Sequence, residues 1–338
     1  MSWDEVLALL DRPVEAAAVG AALELGLFWN LAARPADSAG VARALGIPPG
    51  RCETWLRVLE AVGLVEETGS RWQPTREARE SILAGYSADT WALLAVEARE
   101  RLAAAAGLPT ALRAAPGGGS GRAAGYVERM AADPERARRF TRMLFEIHQP
   151  LAADVAGALD LAGVRRLMDL GGGSGVVSMA LARRWPELEA TVVDVATVCE
   201  AGREIAAAEG LAGRVQFHGA DFLRDPLPDD FDAVLECDVA VYSESLFRSV
   251  AGALRPGGRF VIVDDLEGDV VPADRSRRAW ALARTLADPS WKAPTVGSVS
   301  ALLVAAGFDR VTRRDLPIQP GVGGQSAGSV MLEARLSR

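Results

Sequence analysis

The stretch Leu167–Leu181, "LMDLGGGSGVVSMAL", decides the fold of this chain. An apolar run ends in Asp169, a glycine cluster follows, and a helix-forming run comes next. This order predicts a buried strand, a tight turn and a helix. Gly171, Gly173 and Gly175 let the backbone turn sharply and approach a ligand closely. The free N–H groups at the start of the helix would then point at that ligand.

The spacing of these glycines departs from the usual dinucleotide-binding turn, which has the pattern G-x-G-x-x-G. Counted from Gly171, the third glycine of that pattern would fall at Val176. The chain instead reads D-x-G-x-G-x-G, with Asp169 leading. The turn is therefore expected to hold a different ligand, and the rest of the chain must identify it.

From Val164 onward, short apolar strands alternate with helical stretches. The predicted strands are "RRLMDL", "ATVVDV", "RVQFHG", "FDAVLE" and "RFVIVDD". This alternation predicts a parallel sheet covered by helices on both faces. Two further strands, "DRVTRRDLPI" and "AGSVMLEARL", follow each other closely and are expected to form a hairpin at one edge of the sheet.

The first 110 residues are predicted to be helical with one small hairpin. A helix over 38–45, a Gly-Pro turn, a helix over about 51–62 and the hairpin "LVEE-TGS-RWQP" form a winged-helix pattern. The second of these helices would read DNA in a ligand-responsive regulator. It carries Arg51, Glu53, Arg57 and Glu60, an even mix of charges. A packing module that binds no nucleic acid is the favoured interpretation.

Residues 111–160 are interpreted as a flexible connector, "APGGGSGRAAG", followed by one long linking helix. The helix should begin at Asp133-Pro134-Glu135 and be kinked by Pro150. The predicted domains are thus 1–110, 111–160 and 161–338, the last being the catalytic sheet.

Composition excludes several classes of protein. The net charge of −8 argues against a general nucleic-acid binder. Three scattered cysteines and two histidines give no disulfide framework and no metal site. The N-terminus lacks the basic start of a signal peptide, and no apolar run is long enough to span a bilayer. A cytoplasmic protein without a membrane segment is expected.

Three more signals accompany the glycine turn. Asp194 ends the second strand, Asp221 and Phe222 follow the third, and "LRPGGRFVIVDD" contains the fifth. With Asp169, Gly171, Gly173 and Gly175, this set resembles class I S-adenosylmethionine-dependent methyltransferases. The helical first half narrows the resemblance to small-molecule O-methyltransferases of the caffeate, pigment and antibiotic type.

The resemblance implies an α/β, Rossmann-like class I methyltransferase sheet preceded by an all-helical winged-helix dimerisation domain, and hence a homodimer. It implies S-adenosyl-L-methionine as cofactor, with Asp194 on the ribose hydroxyls and Asp221 on the adenine amino group beside Phe222. Glu236 and Cys237, which end the fourth strand, are added to the cofactor-binding set. Met143, Ile147, Trp280 and Trp291 are candidates for the wall of an acceptor pocket.

The chain departs from the family at the catalytic position. Family members carry a general-base histidine after the fourth strand, in a stretch resembling S-N-V-L-H-D-W. Here "LECDVAVYSESL" places Val241 at that position, and valine accepts no proton. His148, Tyr242 and Asp238 are the candidates for a replacement, while methyl transfer mainly by proximity and orientation needs no strong base.

The resulting hypothesis is methyl transfer to a small, aromatic or polyketide-like acceptor. Oxygen is the most frequent target in the family, and carbon, sulfur or nitrogen are alternatives. A relative that binds the cofactor without methylating, such as a hydroxylase or pericyclic catalyst, is a further alternative. The winged-helix regulator is the alternative from another class.

Overall fold

The computed structural model describes residues 2–113, 125–266, 275–287, 291–318 and 328–337. The chain divides into two compact units, Met1–Arg113 and Ala114–Arg338. Apart from Gly125, the predicted flexible connector lies outside the described residues.

The first unit is helical with one hairpin, as its amphipathic runs predict. Its elements are α1 (Trp3–Glu24), α2 (Leu27–Ala33), α3 (Ser38–Leu45), α4 (Pro49–Ala61), β1 (Val65–Thr68), β2 (Arg71–Pro74), α5 (Arg76–Ala78), a π-helical turn (Arg79–Leu83), α6 (Ala88–Ala106) and α7 (Leu108–Ala111). Its core contains Phe28, Leu56 and Trp72, all fully buried. The Trp72 indole also donates a hydrogen bond to Ser38 Oγ at 2.9 Å, which joins the hairpin to α3.

The positive charge of Arg57 on α4 is neutralised within the unit. Arg57 forms ion pairs with Glu53 at 3.2 Å, Glu60 at 3.0 Å and Glu67 at 2.7 Å. A guanidinium held by three carboxylates is a poor partner for DNA phosphates, which need an available cation.

In the described ranges no single helix is long and apolar enough to cross a membrane, although α1 and α2, bent by 58° at their junction, pass that test together.

From Gly125 onward, the described part of the second unit starts with three helices. They are α8 (Tyr126–Ala132), α9 (Pro134–Ile147) and α10 (Gln149–Ala158). The prediction of one long kinked helix was wrong, because the helix is interrupted at His148, which has φ −93° and ψ 4°. Pro150 has no N–H and its ring crowds the preceding turn, so the break falls just before it.

The sheet of the second unit has seven strands. Its elements are β3 (Arg166–Leu170), α11 (Val176–Arg184), β4 (Glu189–Asp194), α12 (Ala196–Ala208), β5 (Val215–Gly219), β6 (Phe231–Cys237), α13 (Glu244–Ala253), β7 (Leu254–Asp264), α14 (Arg275–Ala287), α15 (Val296–Ala305), β8 (Phe308–Ile318) and β9 (Gly328–Leu336). The spatial order is β5-β4-β3-β6-β7-β9-β8. Strands β3 to β7 pair in parallel, whereas β9 pairs antiparallel with β7 and β8. The predicted parallel sheet with an antiparallel edge hairpin is confirmed.

The topology places a ligand crevice at the carboxyl ends of β3 and β6. The chain runs from β3 to β4 and β5 on one side and then returns to β6 on the other, so the strand order reverses between β3 and β6. Connections leave the sheet in opposite directions at such a point, and ligands of open α/β sheets bind there. The quoted glycine turn follows β3 at this reversal.

Two apolar clusters pack on the opposite faces of the sheet. Leu167 and Leu235 belong to the cluster with α10, α11 and α12, while Met168 and Val234 belong to the cluster with α13 and α15. In the first cluster the Phe217 ring occupies the space that two glycines leave free. A Cβ on Gly202 would lie 2.2 Å from this ring and one on Gly175 would lie 3.0 Å from it. The ring therefore sets how closely the starting turn of α11 approaches α12.

Candidate active site

A cavity of about 60 Å³ lies beside the glycine turn. The turn, the end of β6 and residues from α9 and α10 all contribute to its lining. Its lining residues are Leu144, His148, Leu151, Asp169, Gly171, Gly172, Gly173, Ser174, Val176, Val177, Cys237 and Asp238. Leu144 and Leu151 are not among the site residues predicted from the sequence, although their spacing of four and three residues from His148 puts all three on one helical face.

The glycine turn requires its glycines. Gly171, Gly173 and Gly175 have φ values of 71°, 54° and 74°, in the left-handed region that other residues rarely adopt. A Cβ on Gly171 would also lie 2.6 Å from the Val239 side chain. The turn after β3 and the loop after β6 are thus in close contact, with no room for a side chain between them.

Asp169 lies buried beneath this turn. Its Oδ2 accepts a hydrogen bond from Ser178 Oγ at 2.6 Å, and a Cβ on Gly172 would lie 2.4 Å from its carboxyl carbon. Burial raises the pKa of Asp169 to about 6, with the nearby Asp194 charge adding to the effect. Oδ1 has no hydrogen-bond partner among the described residues. Asp169 thus joins the turn to α11 and leaves one acceptor atom available.

Asp194 connects the end of β4 to the same turn. Its Oδ2 accepts the Gly173 N–H at 3.0 Å, and its Oδ1 accepts the Val195 N–H at 2.7 Å. Burial raises its pKa to about 6, although both backbone hydrogen bonds favour the charged form. A carboxylate has about four acceptor positions, so two are left unfilled, although Asp194 itself does not line the cavity.

Asp221 and Phe222 follow β5, and neither lines the cavity. Asp221 Oδ1 accepts the Leu223 N–H at 3.1 Å, and its Oδ2 is 3.6 Å from the Arg224 guanidinium. Phe222 is half-buried and packs against the cluster that contains Met168. Because β5 pairs with β4, the two residues follow a strand end next to Asp194.

Glu236 and Cys237 end β6 in different surroundings. Cys237 lines the cavity, and burial raises the pKa of its thiol, so it stays protonated. Glu236 is 1% exposed and does not line the cavity. Burial, followed by the nearby Asp264 and Asp238 charges, raises the pKa of Glu236. In the part of the chain that the structure describes, neither Glu236 oxygen has a hydrogen-bond partner.

The three catalytic candidates lie close together on the loop after β6 and at the helix break. His148 Nε2 lies 3.3 Å from Asp238 Oδ2, and both residues line the cavity. Tyr242 is outside the lining, and its hydroxyl donates a hydrogen bond to Asp264 Oδ2, which also accepts the Ala240 N–H at 3.0 Å. Burial and the neighbouring carboxylates raise the pKa of Tyr242. Val241, at the expected histidine position, packs against the cluster that contains Met168.

Of the predicted acceptor-pocket residues whose side chains the structure describes, none lines the cavity. Met143 is buried and Ile147 half-buried on α9, and neither lines the cavity. The Trp291 ring lies 6.0 Å from the Arg284 guanidinium carbon. The side chain of Trp280 is outside the described residues. Among the residues described, no cluster of three or more His, Cys, Asp or Glu could hold a metal ion.

Comparison with known proteins identifies the family. Residues 118–309 match the model of the O-methyltransferase domain. The chain is 34% identical over 268 residues to a 3-hydroxy-5-methyl-1-naphthoate 3-O-methyltransferase of Streptomyces sahachiroi, covering 74% of this chain and 73% of the relative. It is 32% identical over 279 residues to an aclacinomycin 10-hydroxylase of Streptomyces purpurascens, covering 79% and 74%.

A solved structure of another protein has the same fold as this chain. An O-methyltransferase family protein from Burkholderia thailandensis superposes with a TM-score of 0.78 at 24% identity, covering 100% of this chain and 98% of that one. The domain match, the relatives and the fold all indicate the same family. The glycine turn and its two buried aspartates are consistent with that family. The chain belongs to the O-methyltransferase domain family and is an S-adenosylmethionine-dependent methyltransferase.

Proposed function

We propose that this enzyme methylates a hydroxyl oxygen of a small, aromatic or polyketide-like acceptor. The observation that carries the proposal is the cavity itself, which the glycine turn borders on one side and the His148–Asp238 pair on another. The naphthoate specificity of the Streptomyces sahachiroi relative supports an aromatic acceptor.

The residues around the turn fit S-adenosylmethionine, which supplies an activated methyl group when bound. Gly171 and its neighbours keep the backbone free of side chains beside the cavity. Asp194 retains acceptor positions for the two ribose hydroxyls, and Asp221 with Phe222 would receive the adenine. Asp169 supports the turn from below and leaves Oδ1 available to a polar group.

Orientation supplies much of the rate in methyl transfer. Holding an acceptor oxygen in line with the methyl carbon turns a bimolecular step into an effectively unimolecular one. The side chains of Leu144 and Leu151, with Val176 and Val177, form apolar walls that would hold an aromatic ring near the glycine turn. Such walls also exclude water, which would compete with the acceptor.

The test is transfer of isotopically labelled methyl from S-adenosylmethionine to phenols, catechols, thiols, amines and activated aromatic carbons, read by mass spectrometry. The label is expected on a phenolic oxygen. A label on carbon, nitrogen or sulfur would replace the O-methylation proposal. Donor binding without label on any acceptor would favour a non-methylating activity such as that of the aclacinomycin hydroxylase relative.

We also propose that the enzyme is a cytoplasmic homodimer formed through its first unit, with the second unit as the catalytic domain and no nucleic-acid partner. Helix α1 exposes large apolar side chains, including Trp3 at 73%, Leu10 at 70% and Val14 at 67%. Such a face is unusual on a monomer surface and suits a partner helix. A second copy of this chain is the proposed partner because family resemblance implies dimerisation through this half.

A further inference from the structure

His148 and Asp238 come from distant parts of the second unit and meet at the cavity. His148 lies at the break between α9 and α10, and Asp238 is the first residue after β6. The imidazole Nε2 lies 3.3 Å from the carboxylate Oδ2. Because both residues line the cavity, this pair faces the space where the acceptor must approach the methyl donor.

The helix break fixes the position of His148. The His148 N–H still donates to the Leu144 carbonyl at 3.1 Å, and the Ala152 N–H donates to the His148 carbonyl at 2.9 Å. The backbone around the break is therefore hydrogen-bonded on both sides. With Leu144 and Leu151 on the same cavity wall, the imidazole is a polar group in an otherwise apolar lining from these two helices.

The backbone of Asp238 is fixed as well. Its φ is 57°, a left-handed conformation that costs a non-glycine residue free energy. Its N–H donates to the Val263 carbonyl at 2.9 Å, which extends the pairing between β6 and β7. Strained conformations concentrate at functional sites. Here the strain turns a carboxylate toward a histidine.

We propose that His148 is the general base for the acceptor hydroxyl and that Asp238 is its positioning residue, an inference that rests on the proposed O-methylation. Since Nε2 faces Asp238, Nδ1 is the ring nitrogen that accepts the proton. The neighbouring carboxylate fixes the ring orientation and stabilises the imidazolium that forms. The family histidine after the fourth strand is thereby replaced by one from the helix break.

The proposed step conserves atoms and charge. The acceptor O–H bond breaks and its proton goes to His148 Nδ1. The oxygen electron pair forms the new bond to the methyl carbon, and the methyl–sulfur bond breaks with its electron pair remaining on sulfur. The products are the methyl ether, S-adenosylhomocysteine and imidazolium, which returns its proton to water.

The other polar groups nearby are less suitable. Tyr242 donates its proton to Asp264, and the raised pKa of the Cys237 thiol keeps it neutral. Glu236 lies outside the cavity lining, in the interior. A free carboxylate is a much weaker base than a free imidazole. His148 is therefore the group best matched to the task.

The test compares His148→Ala and Asp238→Asn with wild type on a series of phenols of increasing acidity. On a weakly acidic phenol we expect His148→Ala to lose about a hundredfold in kcat/KM and Asp238→Asn about tenfold. On a nitrophenol that is already ionised at the assay pH, both losses should nearly vanish. Added imidazole should restore part of the His148→Ala rate. Asparagine tolerates left-handed backbone, so this substitution removes the charge while keeping the loop.

Two controls separate chemistry from structure. Donor affinity, measured by calorimetry, should change less than about twofold in both variants. His218→Ala removes the other histidine, which is exposed on β5, and should leave all rates unchanged. An equal loss on every phenol, or no loss at all, would overturn the assignment of His148 as base. Absence of label on every acceptor with wild-type enzyme would instead overturn the proposed O-methylation itself.

Discussion

Gly173 and Asp194 are joined by a 3.0 Å hydrogen bond from the backbone N–H to the buried carboxylate Oδ2. The bond links the turn after β3 to the end of β4, and the second oxygen of the same carboxylate is held by the Val195 N–H. The two strand ends that border the expected donor site therefore form one unit rather than two independent loops.

The first prediction concerns this carboxylate. In Asp194→Asn the new amide must present its N–H₂ group to one of two backbone N–H donors, which breaks a hydrogen bond in a buried position. We expect S-adenosylmethionine affinity, measured by calorimetry, to fall about tenfold or more. Glu189→Gln, an exposed position at the other end of β4, is the control. Unchanged affinity in Asp194→Asn would remove this residue from the donor site.

The second prediction isolates the contact between Gly171 and Val239. Gly171 and Gly210 both have φ 71°, but only at Gly171 does a Cβ meet another side chain. Alanine at either position should cost about 1–2 kcal/mol of stability from backbone strain. Gly171→Ala should lose more unfolding free energy than Gly210→Ala. It should also weaken donor binding.

The same contact offers a rescue experiment. The Val239→Ala substitution removes both γ-methyl groups that crowd position 171. The double variant Gly171→Ala/Val239→Ala should therefore recover stability toward the level of Gly210→Ala in urea unfolding. A double variant no more stable than Gly171→Ala would show that crowding by Val239 is not the cause.

The third prediction is a pH dependence of stability. Burial raises the pKa of Asp169 to about 6 in the folded state, above the unfolded value of about 3.9. The folded protein therefore binds more protons than the unfolded chain between these values. The stability that protonation of Asp169 contributes is fully present below the unfolded pKa of this group. It is lost as the pH rises through about 6.

Asp169→Asn removes this titration. Between about pH 5 and about pH 8, the wild type should lose on the order of 1 kcal/mol of unfolding free energy relative to the variant. The measurement is urea unfolding of both proteins at each pH, with the exposed Glu187→Gln as control. A constant difference between Asp169→Asn and wild type across this range would contradict the raised pKa of Asp169.

The fourth prediction concerns Tyr242, whose hydroxyl donates to Asp264. Tyr242→Phe should lower stability by about 1–3 kcal/mol, because a hydrogen bond to a buried carboxylate is lost. Because the Tyr242 proton is already donated to Asp264, we expect the folded Tyr242→Phe enzyme to show the same dependence of rate on acceptor acidity as wild type. Tyr86→Phe in the first unit, which makes the same chemical change at a residue that does not line the cavity, is the control. A weaker dependence of rate on acceptor acidity in Tyr242→Phe would make Tyr242 a catalytic candidate again.

The fifth prediction tests the oligomeric state. Analytical ultracentrifugation should show a dimer for the wild type and a shift to monomer for Leu10→Asp/Val14→Asp, which places charges on the exposed apolar face of α1. Leu223→Asp, an exposed leucine of the second unit at 55%, should leave the dimer intact. A monomeric wild type would contradict the dimer proposal directly.

Sequence patterns predicted the sheet better than they predicted the site. The central strands β3 and β6 are short, mostly apolar runs, so their positions follow from local sequence. The glycine turn was equally recognisable because left-handed backbone needs glycine. The antiparallel hairpin followed from two strands with too little chain between them for a crossover helix.

The missed features depend on tertiary structure. The break at His148, rather than a smooth kink at Pro150, places an imidazole at the cavity. The pairing with Asp238 needs a left-handed residue that is not glycine, and no sequence pattern marks such a position. The Ser178 hydroxyl beneath Asp169 was missed because a serine within a helix is ordinarily unremarkable. These contacts arise where β3, β6 and α9 meet in space.

The Phe217 ring has a consequence for the use of this enzyme with altered methyl donors. Because the ring fills the space left by Gly175 and Gly202 and does not line the cavity, trimming it would not enlarge the space beside the glycine turn. Leu144 and Leu151 line the same cavity from α9 and α10, across from the strand ends. We therefore expect shortened leucines to make room for an ethyl or allyl donor, whereas a smaller residue at Phe217 would only loosen the packing beneath the glycine turn.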